Sequence, residues 1–263
     1  DVNQIFTDEF DLEVIGEGNH IGLGNLDANR FEIAIRDLGL PIEDVRNRTL
    51  EIIDQLDGKF PNYFGDQRFG SARPITHQVG RHILRGEFEE AVWTYIAKPY
   101  DSEYKSIRKT RENLWESRDP EDAAEKFPES YRYEKTLLYH LNKNEEDYKG
   151  ALKRLPEGLQ ELFIHAYQSW IFNRVLSELL DDEWFDPEYE IPLVGFKTDL
   201  KDNRPENMIE DILDEEGVSQ EDFRLQEFPE LRSEGSFRRA FADFRNFEIL
   251  DIDEDDLNMA QNK

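Results

Sequence analysis

Phe10, Leu12 and Val14 alternate with Asp11 and Glu13, and Phe31, Ile33 and Ile35 alternate with Glu32, Ala34 and Arg36. A period of two puts each apolar trio on one face, so both stretches predict strands with one buried side. The Gly- and Asn-bearing run from Gly16 to Asn29 connects them. The period then changes. Val45, Ile52, Ile53 and Leu56 recur at helical spacing behind Pro41, and Gly58 is placed to stop the helix. Helical patterns dominate from Gly70 to Leu141, interrupted at Gly86, Pro99, Pro120 and Pro128. Pro156 opens the best-defined helix. Leu159, Leu162, Phe163, Ala166, Trp170 and Asn173 share one face, while Ile164, Ile171 and Val175 cluster on another, which predicts cover on two sides. From Asp181 the chain reads as loop-rich, with Pro187 and Pro192, followed by a short helix around Met208 to Leu213 and a small segment near Phe223. The acidic run Asp251 to Asp256 reads as a solvated tail or loop. The pattern as a whole predicts an α+β fold.

At 263 residues, with 38% hydrophobic and 12% aromatic positions, the chain can bury a substantial core. No run approaches the ~18 apolar residues of a membrane span, and Asp1 to Phe10 lacks the basic and apolar regions of a signal peptide. A soluble, cytoplasmic protein is expected. With no cysteine, disulfides and thiolate metal sites are excluded, and the five histidines show no ligand spacing, so no metal is expected. The net charge of -28 alone argues against a polyanionic partner. The 60 acidic residues stand against only 32 basic ones, however, and Arg outnumbers Lys. That profile suits a salt-rich interior, where at ~1 M salt the screening length is ~3 Å and surface repulsion hardly reaches a ligand.

Two segments bear on chemistry. In Pro61-Asn62-Tyr63-Phe64-Gly65-Asp66-Gln67-Arg68-Phe69-Gly70, Asn62 and Phe64 are two apart in an extended stretch and point to the same side. An amide beside an aromatic ring suits a flipped nucleobase, held by stacking and by hydrogen bonds to its edge. The other reading is a loop Asn satisfying backbone next to a core Phe. In Ala166-Tyr167-Gln168-Ser169-Trp170-Ile171-Phe172-Asn173, Asn173 lies on an apolar face and is read as structural, with a defined hydrogen-bond partner. Tyr167 and Trp170 are read as core. Arg68, Arg73, Arg81 and Arg85, with His77 and His82, and then Lys105, Arg108, Lys109 and Arg111, are the candidates for RNA phosphate contacts. For each, a salt bridge to this protein's abundant carboxylates is the competing role. Gly22-Leu23-Gly24-Asn25 lacks the helix and Lys of a phosphate loop.

Together the two segments resemble the signature blocks of the TruD family of RNA pseudouridine synthases, in order and in spacing. Gly24-Asn25-Leu26-Asp27-Ala28-Asn29-Arg30-Phe31 resembles the family's entry into a core strand, with Ala28 where a Gly is usual, and Gly235-Ser236-Phe237-Arg238-Arg239 resembles its Gly-x-x-Arg block. The resemblance implies cofactor-free isomerisation of uridine to pseudouridine in tRNA, of the uridine-13 class. An aspartate attacks the target uridine, the glycosidic bond breaks, and the base rejoins through carbon. It further implies that Asn62 contacts the target uridine and Phe64 packs against it. Residues 1–74 and 236–263 are expected to belong to a pseudouridine-synthase core, with 75–235 forming a helical inserted domain. The family's Gly-x-Lys-Asp nucleophile block and its closing Gly-Ser-Tyr/Phe-Ala-Thr turn have no match here. The chain is therefore expected to be an internal portion of a longer enzyme, inactive alone, and no catalytic residue is assigned. A non-catalytic RNA-binding protein on the same fold is the alternative, and an acidic protein-binding scaffold a third.

Overall fold

The computed structural model of the chain describes residues 4–6, 11–13, 29–36, 39–121, 123–180 and 188–250, with isolated positions at 16, 18, 22 and 186. These fall into two compact units, residues 1–51 and 52–263. The fold is α+β: among the described residues helices predominate, and six short strands form three two-stranded antiparallel ladders.

In the first unit β1 (Gln4–Phe6) pairs with β2 (Asp11–Glu13), Ile5 opposite Leu12. The second alternating stretch behaves differently. Residues 31–36 form no strand, and Phe31 and Ile33 are each 77% exposed and Ile35 65%. The side-chain alternation is present, but a strand also needs a neighbouring backbone for its N–H and C=O groups, and none pairs with it among the described residues. The helix α1 (Ile42–Leu56) starts behind Pro41, whose carbonyl accepts from Val45 N–H. It stops where Asp57 and Gly58 both turn to positive φ.

The second unit centres on α8 (Glu157–Leu180), 24 residues long. Pro156 precedes it and its carbonyl accepts from the N–H groups of Leu159 and Gln160. Phe163, Ile164, Ala166, Ile171, Phe172 and Val175 are all buried, so the helix is covered on both of its apolar faces, as its sequence predicts. α3 (Thr76–Leu84) lies directly against α8. Gly80 makes that approach close: a Cβ there would sit 2.0 Å from the Phe163 carbonyl oxygen. Around this pair pack α4 (Phe88–Ala97), α5 (Lys105–Ser117), α6 (Arg132–Leu141), α7 (Tyr148–Leu152) and α9 (Arg204–Glu216), with α2 (Asp66–Phe69) as a single turn before α3. A 3-10 turn at Gln220–Arg224 seats buried Phe223.

Two ladders complete the unit. β3 (Lys59–Pro61) pairs with β6 (Phe241–Asp243), Phe60 opposite Ala242, and β4 (Glu190–Leu193) pairs with β5 (Ser236–Arg239). β4 falls in the stretch whose prolines suggest loop. Pro192 is tolerated because its pair exchanges no ladder bonds: Ala240 N–H donates to the Tyr189 carbonyl, bonded pairs alternate from there, and Pro192 opposite Phe237 falls between them. The Gly24 to Ala28 part of the strand-entry block and the acidic run Asp251 to Asp256 lie outside the described residues.

A charged cluster binds the helices from within. Arg111, 1% exposed, meets Glu103 and Glu134 at 2.8 Å each, and Arg73 lies 3.6 and 3.8 Å from the same two carboxylates. Arg73 also donates to the carbonyls of Thr94, Tyr95 and Lys98, and Arg111 to that of Ile96, so the two guanidinium groups satisfy the carbonyls at the C-terminal end of α4. Burial and the neighbouring Arg111 pull the Arg73 guanidinium down to about 10, still charged at neutral pH.

Candidate functional site

Four residues, Asn62 to Gly65, separate β3 from α2, and Tyr63 N–H donates to the Pro61 carbonyl at 3.0 Å, so the chain turns at Asn62 where the spacing suggested an extended stretch. Gly70 closes the turn at φ 102, and a Cβ there would lie 2.3 Å from the Arg73 carbonyl oxygen, so both its conformation and its space require glycine. Thr76 Oγ1 donates to the Phe69 carbonyl at 2.7 Å, tying α2 to the head of α3.

Phe64 is held from α8. Its N–H donates to Asn173 Oδ1 at 2.9 Å and its carbonyl accepts from Asn173 Nδ2 at 3.0 Å, so one amide side chain satisfies the whole backbone of one residue. This is the partner that an amide on an apolar face demands. The Phe64 ring meets Phe172 edge-on with centroids 5.4 Å apart. Two guanidinium groups attend the ring, Arg238 at 4.1 Å and Arg68 at 5.2 Å from its centroid. Burial, and then the proximity of Arg68, lower the Arg238 pKa from its ordinary value.

Asn62 is engaged through the far end of the chain. Its N–H donates to the Ala240 carbonyl at 2.8 Å, and its side-chain Nδ2 donates to the Arg239 carbonyl at 3.0 Å. Arg238 donates twice in return, Nη2 to Asn62 Oδ1 at 2.6 Å and Nε to the Asn62 carbonyl at 3.1 Å. Asn62, Phe64, Asn173 and Arg238 therefore meet at one place, although more than 170 residues separate the first from the last. In the sequence Arg238 stands out only as part of the Gly235-Ser236-Phe237-Arg238 block, with no role attached. No periodicity links a residue to a partner 176 positions away.

Beside this point, α8 carries a cavity of about 300 Å³ lined by Trp170, Asn173, Arg174, Ser177 and Glu178. Tyr63 reaches the same stretch, its hydroxyl 3.0 Å from Ser177 Oγ. Trp170 forms the middle of an aromatic stack: Tyr167 lies 5.8 Å away at 14° and His77 5.8 Å away at 11°, with Phe69 edge-on to His77. Tyr167 is 1% exposed and belongs to the core. Burial, reinforced by Arg81 and Lys98, lowers His77 to about 4, so the ring is neutral at physiological pH. Gln168 is buried and donates to the Val194 carbonyl and to Ser233 Oγ, fixing the segment between α8 and β5.

The remaining arginines and other basic candidates divide by environment. Arg73 and Arg111 face inward, in the cluster described above. Arg81 pairs with Glu216, and Arg85 with Glu87 at 2.7 Å and with the Glu216 carbonyl at 3.2 Å. His82 pairs with Glu87, and Arg108 with Asp101 and Glu112. Lys105 and Lys109 are exposed. Arg68 is half-buried beside Phe64. Among the described residues no group of three His, Asp or Glu side chains is arranged to hold a metal, and no helix is long and apolar enough to cross a membrane.

A family model described as tRNA pseudouridine synthase D (TruD) matches residues 1–189 and 185–260, nearly the whole chain. The chain belongs to the TruD family. Among curated members, each named "Probable tRNA pseudouridine synthase D", that of Methanosarcina acetivorans is 31% identical over 310 residues, covering 100% of this chain and 69% of its own length. That of Archaeoglobus fulgidus is 46% identical over 173 residues, 64% of this chain and 40% of its own, and that of Halobacterium salinarum 33% over 282 residues, 87% and 63%. The crystal structure of the TruD protein from Methanosarcina mazei superposes with a TM-score of 0.71 at 28% identity, covering 78% of this chain and 57% of that one. The chain thus spans about 60 to 70% of several full-length relatives.

Proposed function

We propose that this chain is the portion of a tRNA uridine-13 pseudouridine synthase that holds the target base and much of the tRNA backbone. The reading is carried by one observation: within a TruD-family chain, the Asn62 amide is fixed at both ends by β5, and Phe64 is fixed by α8 and β5 together. Such rigidity suits a group that must meet one flipped base in a set pose. Asn62 would bond the uracil edge, and Phe64 would pack against the ring. Residues 75–235 would form the inserted domain, with 1–74 and 236–263 contributing to the catalytic core.

Arg68, Arg81 and Arg85 would meet phosphates, Arg81 and Arg85 exchanging Glu216 and Glu87 for the RNA backbone. Arg73 is left out of this set, because its donors serve α4. The reaction needs no cofactor: an aspartate adds to the uridine, the N1–C1′ bond breaks, and a C5–C1′ bond forms as C5 loses its proton and N1 gains one. That aspartate is assigned to residues outside this chain, so the 263 residues alone would make no pseudouridine.

The test compares this chain with the full-length enzyme on a tRNA transcript at high salt, reading pseudouridine by chemical mapping. The full-length enzyme is expected to convert the transcript, and Asn62→Ala in it to lower turnover strongly while leaving tRNA affinity nearly unchanged. Equal loss of binding and turnover would move Asn62 from pocket to fold. Conversion by this chain, abolished by changing one of its own aspartates, would overturn the assignment of the nucleophile. RNA binding by the full-length protein without conversion would instead favour a non-catalytic binder.

A further inference from the structure

We infer that Arg238 is a positioning residue that fixes which way round the Asn62 amide faces, and so lets the site tell uracil from cytosine. The inference rests on the proposed role of Asn62 at the target base. A side-chain amide has a donating end and an accepting end of nearly the same shape. If free to turn over, it bonds equally well to the edge of uracil, which offers N3–H and a carbonyl, and to that of cytosine, which offers the reverse pattern at N3 and N4. An asparagine that reads a base must therefore be prevented from turning.

Here both ends are blocked by groups with only one hydrogen-bonding sense. A guanidinium has donors and no acceptor, and Arg238 Nη2 donates to Asn62 Oδ1 at 2.6 Å. A carbonyl has acceptors and no donor, and that of Arg239 takes a hydrogen from Asn62 Nδ2 at 3.0 Å. Turning the amide over would set N–H against N–H at one end and oxygen against oxygen at the other. One lone pair of Oδ1 and one hydrogen of Nδ2 remain, the pattern that meets uracil N3–H and its neighbouring carbonyl.

Arg238 is itself held too firmly to follow a turned amide. Its Nε donates to the Asn62 carbonyl at 3.1 Å, its Cζ lies 4.1 Å from the centroid of the Phe64 ring, and its backbone is paired opposite Ile191 in the β4–β5 ladder. The fork geometry matters, because two separate nitrogens reach two oxygens of the same residue. The single ammonium of a lysine cannot reproduce that.

The test uses the full-length enzyme carrying Arg238→Met or Arg238→Lys, with transcripts bearing uridine or cytidine at the modified position. The readouts are kcat and KM on the uridine transcript, and the inhibition constant of the cytidine transcript divided by that KM. Phosphate contacts are common to both RNAs and cancel in this ratio. Both variants are expected to lower kcat about tenfold with KM within about twofold, and to lower the ratio about tenfold, the scale of one charge-assisted hydrogen bond. Reduced kcat with an unchanged ratio in either variant would leave Arg238 a scaffold residue and overturn the inference, as would full discrimination by the lysine variant. If Arg238→Met does not fold, the lysine variant, which keeps the charge, decides. Asn62→Ala separates the two readings. Wild-type kcat and ratio in that variant would remove Asn62 from the base, whereas loss in Asn62→Ala without change in ratio in the Arg238 variants would defeat the positioning role alone.

Discussion

Replacing Asn173 tests how the helical region holds the base-binding segment. Asn173→Ala deletes two hydrogen bonds, of 2.9 and 3.0 Å, that together satisfy the backbone of Phe64. Each contributes about 1 kcal/mol net, and abandoning a fully buried backbone group costs ~1–3 kcal/mol. Both residues are half-buried, so water can partly replace the lost partner and the lower end applies. The expected loss is about 2 kcal/mol, which in a protein of this size lowers Tm by roughly 4–8 °C. Asn173→Asp separates the two bonds. Its carboxylate still accepts from the Phe64 N–H but sets its second oxygen against the Phe64 carbonyl, a conflict relieved when the carboxyl is protonated and can donate. The aspartate variant should therefore recover part of its deficit relative to the wild type as pH falls, whereas the alanine variant should not. Urea titrations at constant high salt, followed by circular dichroism, give both numbers. A loss under ~0.5 kcal/mol for Asn173→Ala, within the range of ordinary surface substitutions, would refute the account of Phe64 as anchored from α8.

Three further outcomes are expected. His77, lowered to about 4 by burial, binds a proton more readily unfolded than folded, so its contribution is present above pH 6.5 and is lost as pH falls towards 4; the loss is about 2 kcal/mol by pH 5 at most. It should be absent in His77→Phe, and identical acid sensitivity of the two proteins would refute it. Arg111→Met leaves Glu103 and Glu134 buried with only the more distant Arg73, and should destabilise by ~3–5 kcal/mol in urea; a neutral result would mean the cluster is hydrated. Folding should also depend on salt, because 60 carboxylates repel one another until screened. Circular dichroism from roughly 0.1 to 3 M KCl should show structure gained, and a fully folded chain at the low end would count against adaptation to a salt-rich interior.

What could be read from the sequence was local. The two covered faces of α8, the start of α1 behind Pro41, the helix around Met208 and the structural duty of Asn173 all follow from spacing along a few turns. The misreadings arise where a neighbour distant in sequence decides. Residues 31–36 alternate correctly yet find no paired strand among the described residues, while Pro192 sits in a strand because the register to a partner 45 positions later asks no hydrogen bond of it. Arg73 and Arg111 read as surface cations, and only the fold reveals the two carboxylates that draw them inside. Arg238 illustrates the same limit at the site: its block was recognisable, its bond to Asn62 was not.

The pairing of β3 with β6 sets Lys59 opposite Asp243. Paired strands lie within ~5 Å of each other, so the chain leaves for its long helical excursion and comes back almost at the same point. To whatever is joined beyond those strands, everything from Asn62 to Ala240 is a hairpin loop that happens to fold. An unfolded loop of that length would carry a closure entropy, whereas a loop whose own core brings its ends together imposes almost none. The excursion therefore has the chain path of an insertion, leaving and returning at neighbouring strands. Circular permutation at an exposed helix connection would cut the chain without parting the two strands.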